Sequence, residues 1–405
     1  MYSRGYVQQI RYVKFLPYES QDFDEVLALL QSAFDDDRQS HNFEALGRLS
    51  DTSHYKRFVI KENKVVKAYL AYCTRTIRYL GISFTAASIG PVAVSPNAQG
   101  KGVGKHLMTS VMAHLSASEI EFVYIQGIPN YYQSFGFRKY IDKIKRIIPT
   151  SDVTPDSATV SIDNACKEPA VFKELFDSYA NTVNFSADRS LEEWQWLLDH
   201  ASKSYYFFEP KVIRDQSGLA LGYFCEDPYI SDSPREVIFR NDKESIASAL
   251  SALKKYYADK GCDTFDLKIP DNTVVANLVD SEDCERVVHD NPHGGDLLLI
   301  FDELGAAEKL APTLHHLLSG VESQFEAQVA LQNFTIHFGV QAGGTFATVE
   351  EITGPSPVNF VDFIAGRICD ESCADIETTP AAEYAKVQEM LFGKLPKFVF
   401  QGDNM

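Results

Sequence analysis

Residues 89–112 read Ile-Gly-Pro-Val-Ala-Val-Ser-Pro-Asn-Ala-Gln-Gly-Lys-Gly-Val-Gly-Lys-His-Leu-Met-Thr-Ser-Val-Met, and this stretch carries the strongest structural signal in the chain. Its β-branched residues Ile89, Val92 and Val94 predict a strand, which Pro96 ends. A helix is predicted next, because apolar residues follow at helical spacing. These residues are Leu107, Met108, Val111, Met112 and Leu115. Glycines occupy positions 100, 102 and 104 in the loop between the strand and the helix.

A glycine loop that leads into a helix is suited to binding a pyrophosphate. Glycine has no Cβ, so the backbone can approach a ligand closely. The unpaired N–H groups of the first helical turn point into such a loop and carry the positive end of the helix dipole. Lys101 and Lys105 add positive charge beside these groups.

The neighbouring residues distinguish between the kinds of protein that use such a loop. A P-loop requires Ser or Thr after Gly-Lys, whereas His106 follows Gly104-Lys105 here. A dinucleotide-binding fold requires an acidic residue at the end of the next strand. That strand, predicted from Phe122 to Gln126, ends in glutamine. An ordinary strand-turn-helix, with glycines placed for tight packing, remains as the structural alternative.

The combined pattern resembles the acyl-CoA-binding core of the GCN5-related N-acetyltransferases (GNAT). The resemblance rests on Gln99-x-x-Gly102-x-Gly104 after the strand, and on Tyr132-Gln-Ser-Phe-Gly-Phe137 after the next one. It implies acetyl-CoA as co-substrate, with the pantetheine arm along the strand edge and the pyrophosphate in the loop. The implied cofactor-binding residues are Val92, Ala93, Val94, Gln99, Gly100, Lys101, Gly102, Val103, Gly104 and Lys105.

The resemblance also implies a general acid. A thiol of pKa ~8.5 leaves poorly as a bare anion in a dry site, so the departing CoA needs a proton. Tyr132 matches the tyrosine acid of the family, and a backbone N–H near Val94 is the expected donor to the developing oxyanion. The alternative is that Tyr132 is an aromatic packing residue beside Tyr131.

The chain of 405 residues is too long for one ordinary core. The order of predicted elements divides it into units at 1–150, 151–300 and 301–405. By resemblance, the first is a catalytic GNAT domain, the second a degenerate GNAT-like domain and the third a sterol-carrier-protein-like domain. In the second unit, Arg240-Asn-Asp-Lys-Glu-Ser245 replaces the glycine loop. The expected fold class is therefore α+β and α/β: tandem GNAT folds, each a mixed sheet flanked by helices, then a smaller α+β domain.

That series of domains resembles the Eis family (enhanced intracellular survival proteins), some of which acetylate aminoglycosides. The glycine loop differs in having Gln99 and Lys101 where members of that family often carry arginines. The family uses its C-terminal carboxylate in the active site, which implies the carboxylate of Met405 as a catalytic group. The resemblance also implies a homo-oligomer, a hexamer in the family.

The acyl acceptor is expected to be a primary amine on a cationic small molecule or a basic peptide. Asp35, Asp36, Asp37 and His41 are candidates for orienting it, although a solvated acidic loop explains these residues equally well. A net charge of −18 argues against nucleic acid as a partner. The alternatives are a peptide acetyltransferase and a carrier or sensor that binds acyl-CoA or lipid without turnover.

The remaining features point to a cytoplasmic protein without a metal. We find no signal peptide and no apolar run of the roughly 18 to 20 residues that a membrane span needs. The seven cysteines give neither a disulfide framework nor a paired metal motif. Cys369 and Cys373 lie one helical turn apart, but no histidine or second cysteine pair accompanies them.

Overall fold

A computed structural model gives the fold of the protein. It describes residues 13–34, 39–40, 43–44, 55–128, 130–141, 143–151, 160–183, 185–200, 208–271, 273–281, 284–289, 296–318, 325–330 and 334–351. Among these residues, no helix is long and apolar enough to cross a membrane.

The first unit is built on a mixed sheet, as the sequence predicts, in which β4 and β5 pair in parallel and the other strands pair antiparallel. Its own elements are β1 (Val13–Pro17), α1 (Phe23–Ala33), β2 (Tyr55–Glu62), β3 (Val65–Tyr79), β4 (Ile82–Val94), α2 (Val103–Ser116), β5 (Phe122–Gln126) and β6 (Arg138–Ile141). The strand β4 begins at Ile82 rather than at the predicted Ile89.

The strands β4 and β5 lie parallel and then separate. Their pairing runs from Ala86 opposite Phe122 to Ile89 opposite Ile125 and then ends. Beyond Ile89, β4 continues to Val94 while it stays paired with β3. The sheet therefore opens into a split between the C-terminal half of β4 and the end of β5, immediately before the glycine loop.

The second unit repeats the element order of the first, which supports the predicted duplication of the fold. After β7 (Lys143–Pro149) come β8 (Ser161–Asp163), α3 (Pro169–Ala180), β9 (Phe185–Ala187), α4 (Leu191–His200), β10 (Phe208–Arg214), β11 (Ala220–Glu226), β12 (Glu236–Phe239), α5 (Lys243–Asp259), β13 (Thr264–Leu267), α6 (Val274–Val279), β14 (Glu285–His289) and β15 (Asp296–Ile300).

The two units exchange strands. The first sheet has the order β1-β2-β3-β4-β5-β15-β6, so the last strand of the second unit lies between two strands of the first. The second unit forms two sheets, β12-β11-β10-β8 and β13-β7-β14. The strand β7, which lies before residue 150, thus pairs with strands of the second unit. The boundaries at residues 150 and 300 stay a prediction, and both strand exchanges cross the boundary at residue 150.

Helices cover both faces of the first sheet. Leu107 and Val111 of α2 pack with Leu70 and Ile89 on one face. On the other face, α1 packs with Tyr69, since successive residues of a strand point to opposite sides. The capping box that Ser190 and Glu193 predict at the start of α4 is also present, with both reciprocal hydrogen bonds.

The last described elements are α7 (Glu303–Leu318), β16 (Phe325–Ala330), β17 (Phe334–Gln341) and β18 (Gly344–Glu351). The helix α7 lies on the face of the first sheet opposite α2, where Leu310 and Leu314 join the cluster of Phe84 and Phe122. The sterol-carrier-like fold stays a prediction, because its predicted closing helices at 358–368 and 381–392 lie outside the described residues.

Candidate active site

The split in the first sheet leaves one edge of β4 without a strand partner. Ser95 N–H donates to Lys67 C=O at 2.8 Å, so these two residues form a hydrogen-bonded pair of the antiparallel ladder. Hydrogen-bonded and non-hydrogen-bonded pairs alternate along such a ladder. Val92 and Val94 occupy the alternate positions, and their N–H and C=O groups therefore point toward the side from which β5 has separated.

The glycine loop follows this edge directly. A short 3₁₀ turn over Pro96–Ala98 leads to Gly100 and Gly102, whose φ angles of 70° and 80° lie in the left-handed region. Glycine adopts that region at no steric cost. Because Gly102 precedes α2, no side chain caps the N–H groups of its first turn. Lys101 and Lys105 are exposed beside them.

Two contacts define the space above the loop. The Gln99 side-chain amide donates to Val94 C=O at 3.2 Å and ties the loop to the strand edge. A Cβ at Gly104 would lie 2.8 Å from the Tyr131 hydroxyl and 3.3 Å from Val94 Cγ2. The N-terminus of α2 and the edge of β4 are therefore close enough for one extended ligand to contact both. Residues 92–105 fit the predicted pantetheine and pyrophosphate sites.

Tyr132, the predicted general acid, begins a 3₁₀ turn after β5. Its ring is buried and lies directly against Gly127, where a Cβ would come within 2.1 Å of two ring carbons. Burial, with a smaller contribution from Tyr131, raises the pKa of Tyr132 well above its ordinary value. The hydroxyl therefore stays protonated across the neutral range, as a proton donor must.

Tyr131 is a site residue that the motif analysis treated only as a neighbour of Tyr132. Its ring meets the ring of Tyr132 edge to face at a centroid distance of 4.9 Å, and its hydroxyl lies over Gly104. Burial raises its pKa as well. The sequence signal for Tyr131 was its position next to Tyr132, because the side chains of two adjacent residues point to different sides of the site.

A second polar group lies near the split on the face opposite α2. The Tyr124 hydroxyl donates to Asp296 Oδ1 at 2.5 Å, and both side chains are buried. Tyr124 also lines a small crevice together with Arg75 and Ser88. Asp296 was not predicted, since it belongs to β15 and reaches this sheet only through the strand exchange.

The remaining predicted site residues, Asp35, Asp36, Asp37, His41 and Met405, lie outside the described residues. The described part of the chain contains no group of three or more His, Cys, Asp or Glu side chains that could hold a metal ion.

Residues 14–140, which span β1 to β6 and therefore the split and the loop, match the family described as "Acetyltransferase (GNAT) domain". No curated protein is similar enough in sequence to count as a relative.

Several solved structures share the fold over almost the whole chain. A GCN5-related N-acetyltransferase from Anabaena variabilis has a TM-score of 0.64 at 15% identity, covering 96% of this chain and 99% of its own. A probable N-acyltransferase from Enterococcus faecalis has a TM-score of 0.63 at 14% identity, covering 95% and 97%. Eis1 from Mycobacterium abscessus has a TM-score of 0.57 at 13% identity, covering 97% and 100%. The chain therefore contains a GNAT acetyltransferase domain at residues 14–140, and its fold is similar to that of Eis1 along its length.

Proposed function

We propose that the first domain binds acetyl-CoA in the split between β4 and β5 and transfers the acetyl group to a primary amine. The observation that carries this proposal is that the unpaired edge of β4 leads directly into a glycine loop and an uncapped helix N-terminus. When bound, acetyl-CoA supplies an activated acetyl thioester.

The residues of the site divide the work of binding. The first-turn N–H groups of α2 from Val103 to Lys105, together with the Lys101 and Lys105 ammonium groups, bind the pyrophosphate. The edge groups of Val92 and Val94 pair with the amides of the pantetheine arm, as a peptide pairs with an open sheet edge. The Val92 N–H, which is the edge donor nearer the vertex of the split, polarises the thioester carbonyl. Tyr132 donates a proton to the departing thiolate.

The acceptor is a primary amine on a cationic molecule, either an aminoglycoside-like compound or a basic peptide. The net charge of −18 supports a cationic partner. The acidic residues Asp35, Asp36 and Asp37 with His41 orient it, and the carboxylate of Met405 contributes as the Eis resemblance implies. A homo-oligomer and a cytoplasmic location belong to the same proposal.

Thermal unfolding with and without acetyl-CoA tests the binding site. A ligand that binds only the folded state raises the melting temperature by mass action. Gly102→Glu should abolish the rise, because it places bulk and negative charge at the pyrophosphate site. The matched control is Gly218→Glu, which changes another glycine at positive φ (87°) in the β10–β11 turn. Both variants carry similar backbone strain, and only the control should keep the response to acetyl-CoA.

Release of free CoA with a panel of amines tests the reaction. The panel contains spermidine, the aminoglycoside kanamycin and a lysine-containing peptide. Turnover with any of them, lost in Gly102→Glu and kept in Gly218→Glu, supports the proposal. Binding of acetyl-CoA without turnover on any amine would favour the carrier or sensor alternative.

A further inference from the structure

The transfer reaction needs a group that accepts the proton of the amine, which is protonated at neutral pH because its pKa is ~10. Tyr124 and Asp296 form a buried pair near the split, with exposed fractions of 5% and 4%. The tyrosine hydroxyl donates to the carboxylate at 2.5 Å. The carboxylate is thus held by a group that can pass a proton to it.

The pair lies at the vertex of the split. Tyr124 is opposite Ser88, one residue before the last β4–β5 pair of Ile89 and Ile125. Asp296 is opposite Gln126, beyond that last pair. The backbone of Asp296 therefore lies about two residues, or ~7 Å, beyond that of Tyr124 in the direction in which the sheet opens. To reach Asp296, the Tyr124 side chain extends in this direction, and its hydroxyl lies beside the point where β4 and β5 separate.

The thioester would lie at the same level. A ligand with its pyrophosphate at the α2 N-terminus and its arm along Val94 and Val92 extends back toward the vertex. On the α2 side, the vertex is filled by the packed side chains of Ile125, Tyr132 and Leu297. Within the described residues, the α2 side of the vertex is therefore closed to an acceptor, and the opposite face is the side left for its approach.

That face has a small crevice beside Tyr124. The crevice there has a volume of about 20 Å³, enough for one water molecule. Its walls include Ser88 and Tyr124 from the first unit, and Phe185 and Ala187 from β9 of the second unit. Tyr124 therefore borders both the crevice and the carboxylate.

The charge of Asp296 has no cationic partner among the residues that the structure describes. A similar pair in the second unit differs in this respect: Tyr223 donates to Glu236 at 2.6 Å, but Arg189 also forms a bidentate ion pair with Glu236. The other titratable groups on the elements around the pair include Arg75, Arg78 and Tyr79 of β3, Arg138, Lys139 and Tyr140 of β6, Glu121 before β5, and Glu303, Glu308 and Lys309 of α7.

We propose that Tyr124 takes the proton from the acceptor amine and passes its own proton to Asp296. This role rests on the proposed acetyl transfer. The ammonium nitrogen first loses one proton to the Tyr124 oxygen, while the Tyr124 hydroxyl proton moves to Asp296 Oδ1. The free amine then forms a bond to the thioester carbonyl carbon, the carbon–sulfur bond breaks, and the sulfur takes a proton from Tyr132. The second proton, which the nitrogen loses on becoming an amide, returns to Tyr132 through solvent, and Asp296 releases its proton to solvent before the next turnover.

Tyr124→Phe and Asp296→Asn test the role, with Tyr140→Phe as the matched control. Tyr140 is a buried tyrosine of the same cluster. The first readout is the thermal shift with acetyl-CoA. The second is kcat/KM measured from pH 6 to pH 10, with whichever of spermidine, kanamycin and the lysine peptide the wild-type protein acetylates fastest. Each variant should keep the thermal shift and lose about 10²-fold in kcat/KM at neutral pH. The loss should shrink toward pH 10, because free amine then needs no acceptor, and the double variant should be no slower than either single one.

Three results would overturn the role. A loss that is equal at all pH values, or that Tyr140→Phe shares, would mean that the pair only supports the fold. Unchanged kcat/KM in Tyr124→Phe would exclude the relay while leaving the acetyltransferase proposal intact. Wild type that binds acetyl-CoA and releases no CoA with any amine would overturn both proposals. If Asp296→Asn fails to fold, Tyr124→Phe decides alone, since it removes only one oxygen.

Discussion

At the scale of single residues, the position of Tyr132 depends on Gly127, which no motif in the sequence singles out. The ring of Tyr132 lies so close to Gly127 that any Cβ there would overlap it. The overlapping atoms belong to a rigid aromatic ring and not to the end of a flexible side chain, so they cannot move aside easily. A methyl group at position 127 must therefore displace the ring and with it the hydroxyl.

We expect Tyr132→Phe to keep acetyl-CoA binding and to lower kcat by about 10² to 10⁴-fold, because it removes a general acid and little contact area. Gly127→Ala should lower kcat at least as much by moving the ring. Steady-state kinetics of both variants and of the double variant test this. The double variant should be about as slow as Tyr132→Phe, since one function is lost in both. Multiplied losses would mean that Gly127 acts independently of Tyr132, and near wild-type kcat in Tyr132→Phe would return that residue to a packing role.

The candidate site could be predicted from sequence only where it is local. The edge of β4, the glycine loop and Tyr132 lie within one short stretch, and their residue types report their chemistry directly. Asp296 is 172 residues from Tyr124 along the chain. Nothing in the sequence around it marks it as a site residue, because its position follows from which sheet β15 joins.

At the scale of elements, periodicity predicted the strands and helices, and tertiary context set their ends. The strand β4 extends back to Ile82 through Ser83, Thr85 and Ser88, which weaken the apolar signal of a strand. The strand exchange could not be predicted, since pairing partners far apart in sequence leave no local pattern. Its stability depends on groups such as Arg146, which lies on β7 and is fully buried.

Arg146 holds the exchanged β7 in the second unit. Its guanidinium donates to Asp280 at 2.5 and 2.8 Å, to Asp271 at 2.7 Å and to Ile269 C=O at 3.1 Å. Arg286 lies directly opposite on β14 and also binds Asp271, but it is 43% exposed. The two arginines therefore share a partner and differ in burial.

Arg146→Met should lower the free energy of unfolding by about 1–3 kcal/mol, the usual range for buried hydrogen bonds to charged groups. Arg286→Met should cost under about 1 kcal/mol, because exposed ion pairs contribute little. Urea denaturation at pH 7 measures both.

Burial works to raise the pKa of Asp271, but hydrogen bonds from Arg286 and Arg146 outweigh it and hold that pKa below its ordinary value.

A carboxylate whose pKa is lower in the folded state than in the unfolded state stabilises the folded protein. This stabilisation is fully present above the pKa in the unfolded state, ~3.9, and is lost as the pH falls through the pKa in the folded state. The cost of Arg146→Met should therefore shrink below about pH 4. Equal costs for the two arginines at pH 7, or a cost that grows in acid, would contradict this account.

At the scale of the whole molecule, the second unit repeats much of the element order of the first, but among the described residues only the first unit offers a phosphate site. In the first unit Gly102 precedes α2, and no side chain caps that helix. In the second unit Asp242 precedes α5, and its carboxylate accepts from Ser245 N–H at 2.8 Å. The carboxylate thus takes the place at the helix N-terminus that a phosphate would need, and Glu244 adds negative charge in the first turn.

We therefore expect one acetyl-CoA per 405-residue chain. Repulsion between Asp242, Glu244 and a ligand with several negative charges exceeds the attraction of the single Lys243, and side chains there prevent the close approach that glycines permit. Isothermal titration of wild type, Gly102→Glu and Asp242→Ala measures the number of sites. Wild type should bind one equivalent, Gly102→Glu none, and Asp242→Ala one, because removing the cap does not recreate a glycine loop. Two sites in wild type, with one surviving in Gly102→Glu, would mean that the second unit is a working acyl-CoA domain.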